Sequence, residues 1–415
     1  MVNNKNIYRI VLLLFGIFAP MPIITVFSFT MYVWFISLLT VMILIDCINK
    51  GSFKIFKSHD PAFILVIVSW FISYFICLIK MPLEWQNGLI TGFIQICFLL
   101  IICIFFFNND KINYLLFYIK GVYISSIVQM VWGYAQLVFD KIGLDLNSIV
   151  FNNFLHMIDE YGTQYQFGRL KISGLCWNAG NFAPLITFGY IYSKNKYLKL
   201  LFIVLGIISR SRTLMIGLMV CVLIEILTNV NLKIKITRKK VFFSIITIFL
   251  LFFICMLNFN IIKEKFLELR DLLDLKTRIY TEGSANTHLF YITSIPTITM
   301  HNSILSNLFG YGPGCSGYPY SALFDFYNQF ELGKWSVESD YINQLWSYGY
   351  IGFLVYYFWY IKNMLKTFSI DKKYIILFIS FLIEGVMYNI TFNWVLFLII
   401  AIFILSKKNI NIFKN

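Results

Sequence analysis

Charge is the scarcest commodity in this chain. Asp, Glu, Lys and Arg together make up 13% of its 415 residues. A soluble domain carries about 25%. Apolar residues reach 59%, and mean hydropathy is +0.75. These values exclude a soluble globular enzyme, and they exclude disorder. Histidine is sparse too: His59, His156, His288 and His301 stand at no metal-ligand spacing. The eight cysteines form no C-x-x-C pair, and most lie in apolar runs, among them Cys77, Cys97, Cys103, Cys221 and Cys255. Metal and redox readings therefore have little support. The chain contains no G-x-x-x-x-G-K-[ST], H-E-x-x-H, G-x-S-x-G or D-x-D motif. Nucleotide-dependent chemistry is not expected, and neither a metal nor a cofactor is.

Acids are scarcer than bases, 20 against 34, which leaves a net charge of +14. A basic chain invites a nucleic-acid reading. Here the charges are scattered through short loops between apolar runs, the pattern of a membrane protein obeying the positive-inside rule, so no nucleic-acid partner is expected.

Twelve apolar runs fall at 7–27, 29–46, 61–79, 88–107, 113–139, 171–193, 197–209, 212–229, 241–258, 339–361, 373–389 and 392–406. A helix of about 20 residues crosses a bilayer, and backbone in lipid must satisfy its own hydrogen bonds. The expected fold is all-α: one polytopic integral membrane domain over 1–415, with about twelve transmembrane helices. The first run lacks an A-x-A site and a second follows at once, so it reads as a retained span. With both termini placed inside, 21 of the 34 basic residues fall on inner segments, 12 on outer ones, and Lys120 within a span. Of the 20 acids, 14 fall outside. Both termini are therefore expected in the cytoplasm.

Two outer segments are long. The first covers 140–170. The second covers 259–338, between helices 9 and 10, and forms a large periplasmic or extracellular loop. A loop of that length is usually functional or a small folded unit. Its start, KEKFLELRDLLDLKTRIY, has Phe266, Leu269, Leu272 and Leu273 at helical spacing and reads as an amphipathic helix. Its LFGYGPGCSGYPYS stretch reads as an ordered turn.

Ionisable groups within the spans are few: Lys120, Glu225 and Glu384. Lys120 and Glu225 lie near inner helix ends, where snorkelling accounts for them. Glu384 is deeper, either a structural partner for an outer-face Arg or part of a site. A transporter usually needs more intramembrane polarity or broken helices, so transport is disfavoured.

Three clusters mark the outer face. Arg210 and Arg212 stand in IISRSRTLMIGL at the junction of two spans. Arg suits bidentate phosphate recognition, so the pair points to a lipid-linked phosphate or pyrophosphate; anchoring to lipid headgroups is the competing account. Arg169 and Lys171 precede a span whose start carries Gly174, Asn178, Gly180 and Asn181. Glu338 and Asp340 open another span. A carboxylate there can take a proton from a sugar hydroxyl, or simply favour a helix N-terminus.

In order and spacing, these clusters resemble the O-antigen polymerase/O-antigen ligase family. Arg169, Gly174, Asn178 and Asn181 match its Arg-then-Gly…Asn-x-x-Asn-like helix start, and Ser211-Arg212 match its Ser-Arg. Phe309, Gly310, Tyr311 and Gly312 match its Phe-Gly-x-Gly turn, and Gly349 and Gly352 its paired glycines. Two positions depart. His288 stands near the usual loop Arg, with Arg278 ten residues earlier, and Glu338 stands where ligases carry His. The departures lean toward the Wzy-type polymerase branch.

The resemblance implies metal-independent, inverting glycosyl transfer on the outer face of a bacterial plasma (inner) membrane. The substrate would be an undecaprenyl-pyrophosphate-linked oligosaccharide, with a flippase and a chain-length regulator as possible partners of the same system. Glu338, His288 and Arg212 are the candidate catalytic residues. Arg169, Lys171, Arg210, Arg278, Asn178, Asn181 and Asp340 are the candidate substrate-binding residues. Tyr318, Tyr320 and Trp335 would cover the sugars. The alternatives are a ligase with a different acceptor, and a lipid-linked oligosaccharide flippase or other transporter.

Overall fold

The computed structural model describes residues 4–27, 29–50, 60–108, 110–154, 165–166, 169–170, 172–176, 179–209, 211–229, 290–324, 337–389 and 394–414. The expected span at 241–258 and the amphipathic helix at 263–280 lie outside them. The chain divides into two compact units, Met1–Ile224 with Pro296–Asn415, and Glu225–Ile295. In the second, Ser294 Oγ donates to Phe290 O at 2.7 Å, closing a helical turn. The helical bundle is the first unit.

The described residues are overwhelmingly helical. Strand is confined to two short antiparallel pairs, β1 (Thr25–Val26) with β2 (Phe29–Thr30), and β3 (Tyr165–Gln166) with β4 (Arg169–Leu170). The helices are α1 (Asn4–Phe18), α2 (Met31–Lys50), α3 (Pro61–Lys80), α4 (Leu83–Asn108), α5 (Leu115–Lys141), α6 (Ala179–Tyr192), α7 (Lys196–Ile208) and α8 (Arg212–Asn229). They continue with α9 (Ile295–His301), α10 (Ile304–Phe309), α11 (Tyr318–Leu323), α12 (Asp340–Phe368), α13 (Lys372–Met387) and α14 (Trp394–Lys407). Among the described helices, α2, α3, α4 and α5 are long and apolar enough to cross a membrane.

Local chemistry sets the boundaries. Asp60 caps α3 by accepting from Ala62 N, and Pro61 takes the first helical position, where no N–H is needed. The first apolar run extends to 27, but α1 stops at Phe18 because Pro20 and Pro22 restrict the chain. The run expected from 171 becomes helical only at Ala179, because Gly174 turns the chain with φ +61°.

Small residues set the closest packing. Gly16 of α1 faces Gly121 of α5, and a Cβ on Gly16 would come within 2.9 Å of the Gly121 Cα. Such approaches are how helices associate in lipid, where burial alone supplies no drive. At the centre, every α14 residue from Trp394 to Ser406 is buried. Tyr118 OH of α5 donates to Trp394 O at 2.9 Å. Phe403 lies 5.2 Å from the Trp359 ring and 4.8 Å from Phe378, joining α14 to α12 and α13.

Basic residues gather at one end. Lys111 pairs with Asp46 at 2.9 Å and sits 4.3 Å from the Tyr8 ring centroid. Lys362 pairs with Asp60 at 3.0 Å, and Lys407 lies 4.4 Å from the Phe107 ring. This is the basic end; the opposite one, which carries 165–166, 169–170, 172–176 and 302–324, is the loop end.

Candidate functional site

Three helices begin together at the loop end. Ser211 caps α8, its Oγ accepting from Leu214 N at 3.4 Å, so Arg212 is the first helical residue. Ile172 N donates to Ser209 O at 3.4 Å, which brings the segment after Arg169 beside the one before Arg212. The last turns of α13 tie the helix starts together. A Cβ on Gly180 of α6 would collide with the Tyr388 ring just after α13, and one on Gly217 of α8 would collide with Glu384. Ser339, preceding α12, donates through Oγ to Gly385 O at 3.5 Å. The N-termini of α6, α8 and α12 thus surround the C-terminal end of α13. Each helix start carries about half a positive charge against about half a negative charge at the end of α13, so the balance of the four favours an anion.

Glu384 is buried within this arrangement. Thr187 Oγ1 of α6 donates to its Oε1 at 2.5 Å. One turn away, Cys221 Sγ and Ser380 Oγ of α8 and α13 are 2.9 Å apart. The structure therefore gives Glu384 a hydroxyl partner on a neighbouring helix.

The turn before α6 is held by two glutamines seven residues apart on α5. Gln136 Oε1 accepts from Gly174 N at 3.0 Å, and Gln129 Oε1 accepts from Leu175 N at 2.9 Å. Gln129 Nε2 also donates to Pro20 O at 2.8 Å, and Asn147 Nδ2 donates to Gly174 O at 3.2 Å. A side chain on Gly174 would meet Gln129 and Phe182 at 2.6–2.7 Å, so both its φ and its surroundings require glycine.

The Phe309-Gly310-Tyr311-Gly312 turn packs into the bundle. Helix α12 breaks at Gly349, with φ 67° and ψ −174°. The break frees carbonyls that the turn occupies: Tyr311 N donates to Trp346 O at 2.7 Å and Gly312 N to Ser347 O at 2.8 Å. Ser73 Oγ of α3 also donates to Ser347 O, at 2.7 Å. Burial first, then Tyr318 beside it, push the Tyr311 phenol above the ordinary tyrosine value, so it stays neutral and donates to Asn302 Oδ1.

The expected site residues divide as follows. Arg169 lies in β4 and Arg212 opens α8. Their side chains fall outside the described residues, as do Lys171, Asn178, Arg210, Arg278, His288 and Trp335 altogether. Asn181 stands in the first turn of α6, half-buried, and Glu338 is exposed just before α12. Asp340 is buried, and its carboxylate accepts from Tyr357 OH at 2.9 Å, which ties the start of α12 to a later turn of the same helix. Tyr320 is fully buried and accepts from Trp346 Nε1 at 3.0 Å, which leaves Tyr318 as the half-exposed ring of that pair. The residues that sequence reasoning passed over are Gln129, Gln136, Asn147, Asn343 and Ser347. Their signal was a neutral polar side chain within or beside an apolar run. Among the described residues, no three of His, Cys, Asp and Glu come together in a way that would hold a metal ion. No protein-family model and no curated protein matches this chain.

Proposed function

We propose that the chain polymerises lipid-linked glycan repeat units at the outer face of a bacterial plasma membrane. The gathering of the α6, α8 and α12 N-termini around the end of α13 carries the reading, because it favours a pyrophosphate at that position. Helix lengths support it. The 14 residues of α6 and 16 of α13 extend about 21 and 24 Å, short of a bilayer core of about 30 Å. The 27 residues of α5 reach about 40 Å. A lipid-borne pyrophosphate entering from the membrane would therefore meet the short helices below the level of the α5 end. On this reading the chain has about twelve spans, both termini are cytoplasmic, and the loop end faces out.

The reaction is a metal-independent inverting glycosyl transfer. The acceptor sugar hydroxyl attacks the anomeric carbon of the donor chain. The bond from that carbon to the undecaprenyl pyrophosphate breaks, and the pyrophosphate leaves with the electron pair. Arg212, with Arg169 and Arg278 assisting, neutralises the developing charge, which is electrostatic stabilisation of the transition state. Glu338 accepts the hydroxyl proton, with His288 as the other candidate base. Lys171, Arg210, Asn178 and Asn181 complete the binding surface. A flippase supplies the repeat unit, and a chain-length regulator sets the end point.

The test is the Arg212→Ala variant in a deletion strain. We expect a normally inserted protein that leaves only single repeat units on the carrier lipid. Normal long-chain ladders on a gel would reject the role of Arg212. Glu338→Gln should likewise lower polymerisation by about 100-fold or more, the usual contribution of general acid–base catalysis. Long lipid-linked chains accumulating in the deletion strain would instead indicate a ligase.

The break in α12 is a feature that favours transport, since transporters bind ions at interrupted helices. Two of its freed carbonyls, however, those of Trp346 and Ser347, are taken by Tyr311, Gly312 and Ser73. Movement of labelled lipid-linked oligosaccharide by reconstituted protein, without bond formation, would establish the transport reading.

A further inference from the structure

The basic end carries an open cleft of about 700 Å³ that the glycan reaction does not use. Its walls come from α1, from the start of α5 with the turn before it, from the α12–α13 connection and from the segment after α14. Two cations line it, Arg9 and Lys414, together with the amides of Asn113, Asn409 and Asn411. Among the described residues, no carboxylate lines it. Asp371, next to Ile370 of the wall, has both oxygens engaged: its Oδ1 accepts from Lys373 N at 2.9 Å, and its Oδ2 accepts at 2.9 Å from Nδ2 of Asn411, whose amide is thereby held in the wall.

The walls are fixed. Ile412 N donates to Tyr374 OH at 3.0 Å, and the buried Phe413 ring lies 4.9 Å from that of Tyr374, so the segment bearing Lys414 is pinned to α13. The Arg9 guanidinium lies 5.3 Å from the Tyr114 ring and 5.5 Å from Phe117, which orients it without neutralising it.

The surface leading away from the cleft is apolar. Beyond Phe117 and the exposed Lys120, α5 exposes Ile124, Val128, Val131 and Val138. The spacing places them along one helical face running toward the loop end. A cationic, amide-rich cleft that continues into an exposed apolar stripe matches a phosphate joined to acyl chains. A free phosphate has no use for the stripe, and basic pockets between transmembrane helices are where anionic headgroups bind. We infer that this cleft binds an anionic glycerophospholipid, with its phosphate between Arg9 and Lys414 and its chains along α5. The inference requires that the chain be embedded in a membrane, not that it polymerise glycans.

The experiment uses the full chain in detergent, stripped of lipid. Its thermal midpoint is followed on addition of phosphatidylglycerol, phosphatidylcholine or inorganic phosphate. Phosphatidylglycerol should raise the midpoint, and the other two should not. In the double variant Arg9→Gln/Lys414→Gln, both changes being at exposed positions, the apparent affinity should fall by about tenfold or more. Lys414→Glu alone should weaken it in the same direction. Lys372→Gln/Lys408→Gln removes two exposed cations of the basic end outside the cleft and should leave the response intact. Several results would overturn the inference: no response to phosphatidylglycerol, an equal response to phosphatidylcholine, or a full response to inorganic phosphate. Retention of the wild-type response in both cleft variants would overturn it too, as would an equal loss in the Lys372/Lys408 variant. The readout needs no glycan, so failure of the polymerase reading leaves it standing.

Discussion

Replacing Gly349 with Ala tests whether the break in α12 is held by the turn that docks on it. The backbone there, at φ 67° and ψ −174°, lies in a region essentially reserved for glycine, at a cost of about 1–3 kcal/mol for other residues. The added methyl would also collide with the backbone of Leu308 and Phe309. Relieving the collision means moving the junction of α10 and the turn, which strains the bonds from Tyr311 N and Gly312 N. Each contributes about 1 kcal/mol net. The total comes to about 3–5 kcal/mol. Gly143 supplies the control. Its φ of +73° is also left-handed, but nothing lies within 4 Å of a Cβ placed there. Gly143→Ala therefore carries strain alone, about 1–2 kcal/mol. Thermal unfolding in detergent, followed by tryptophan fluorescence, compares the two. The Gly349→Ala midpoint should fall well below that of Gly143→Ala. Trp346, one turn before the break, should also report a changed environment. Equal midpoints would mean that the turn yields freely to the methyl and that the docking contributes little.

Two further predictions concern stability. Gln129→Leu leaves Leu175 N without its partner and Pro20 O with only the weak Cys176 thiol donor, at about 1–3 kcal/mol for the unsatisfied amide. Hydrogen exchange at Leu175 and Cys176 should rise in that variant, and unchanged exchange would remove the tether. Asp60 is the pH-sensitive member. Burial alone would raise its carboxyl, but hydrogen bonds from Lys362 and Asn363 and the charges of Lys362 and Lys407 hold it below the ordinary 3.8. A carboxyl so lowered contributes stability that is fully present above its ordinary value and lost as pH falls through the folded one. Wild-type stability should therefore drop as pH falls below about 4, and Asp60→Asn should lose that component. The change costs about 1 kcal/mol at neutral pH, because Lys362 is half exposed and its attraction is screened. A pH profile identical in the two proteins would refute the assignment.

Helices were legible where composition alone decides them. The Asp60-Pro61 start of α3 and the positions of α7, α8, α13 and α14 follow from caps and apolar runs. What was not legible depends on a remote partner. Nothing in the apolar run from 171 marks helix from turn, because Gly174 is fixed by Gln129 and Gln136 from another helix. The aromatic run of α12 reads as continuous, and its break exists because Leu308–Gly312 packs against it. At the candidate site, the three polar clusters were visible in sequence, and their helix starts share one end. The burial of Asp340 was not visible. An acid at a helix start reads the same whether it faces solvent or, as here, the hydroxyl of Tyr357 farther along the same helix.

The burial of α14, a helix of 14 residues, has a consequence for assembly. At about 21 Å it is too short to cross a bilayer unaided, and protein surrounds it on every face from Trp394 to Ser406. The elements that enclose it, among them α4, α5, α12 and α13, all precede it in the chain. Until α14 is synthesised they surround a vacancy the width of a helix, lined by Phe15, Tyr118, Trp359, Tyr360 and Phe378. The bundle must therefore be assembled around a space filled late, and a nascent chain arrested before Trp394 would be a ring without its axle, open to whatever lipid or chaperone reaches it first.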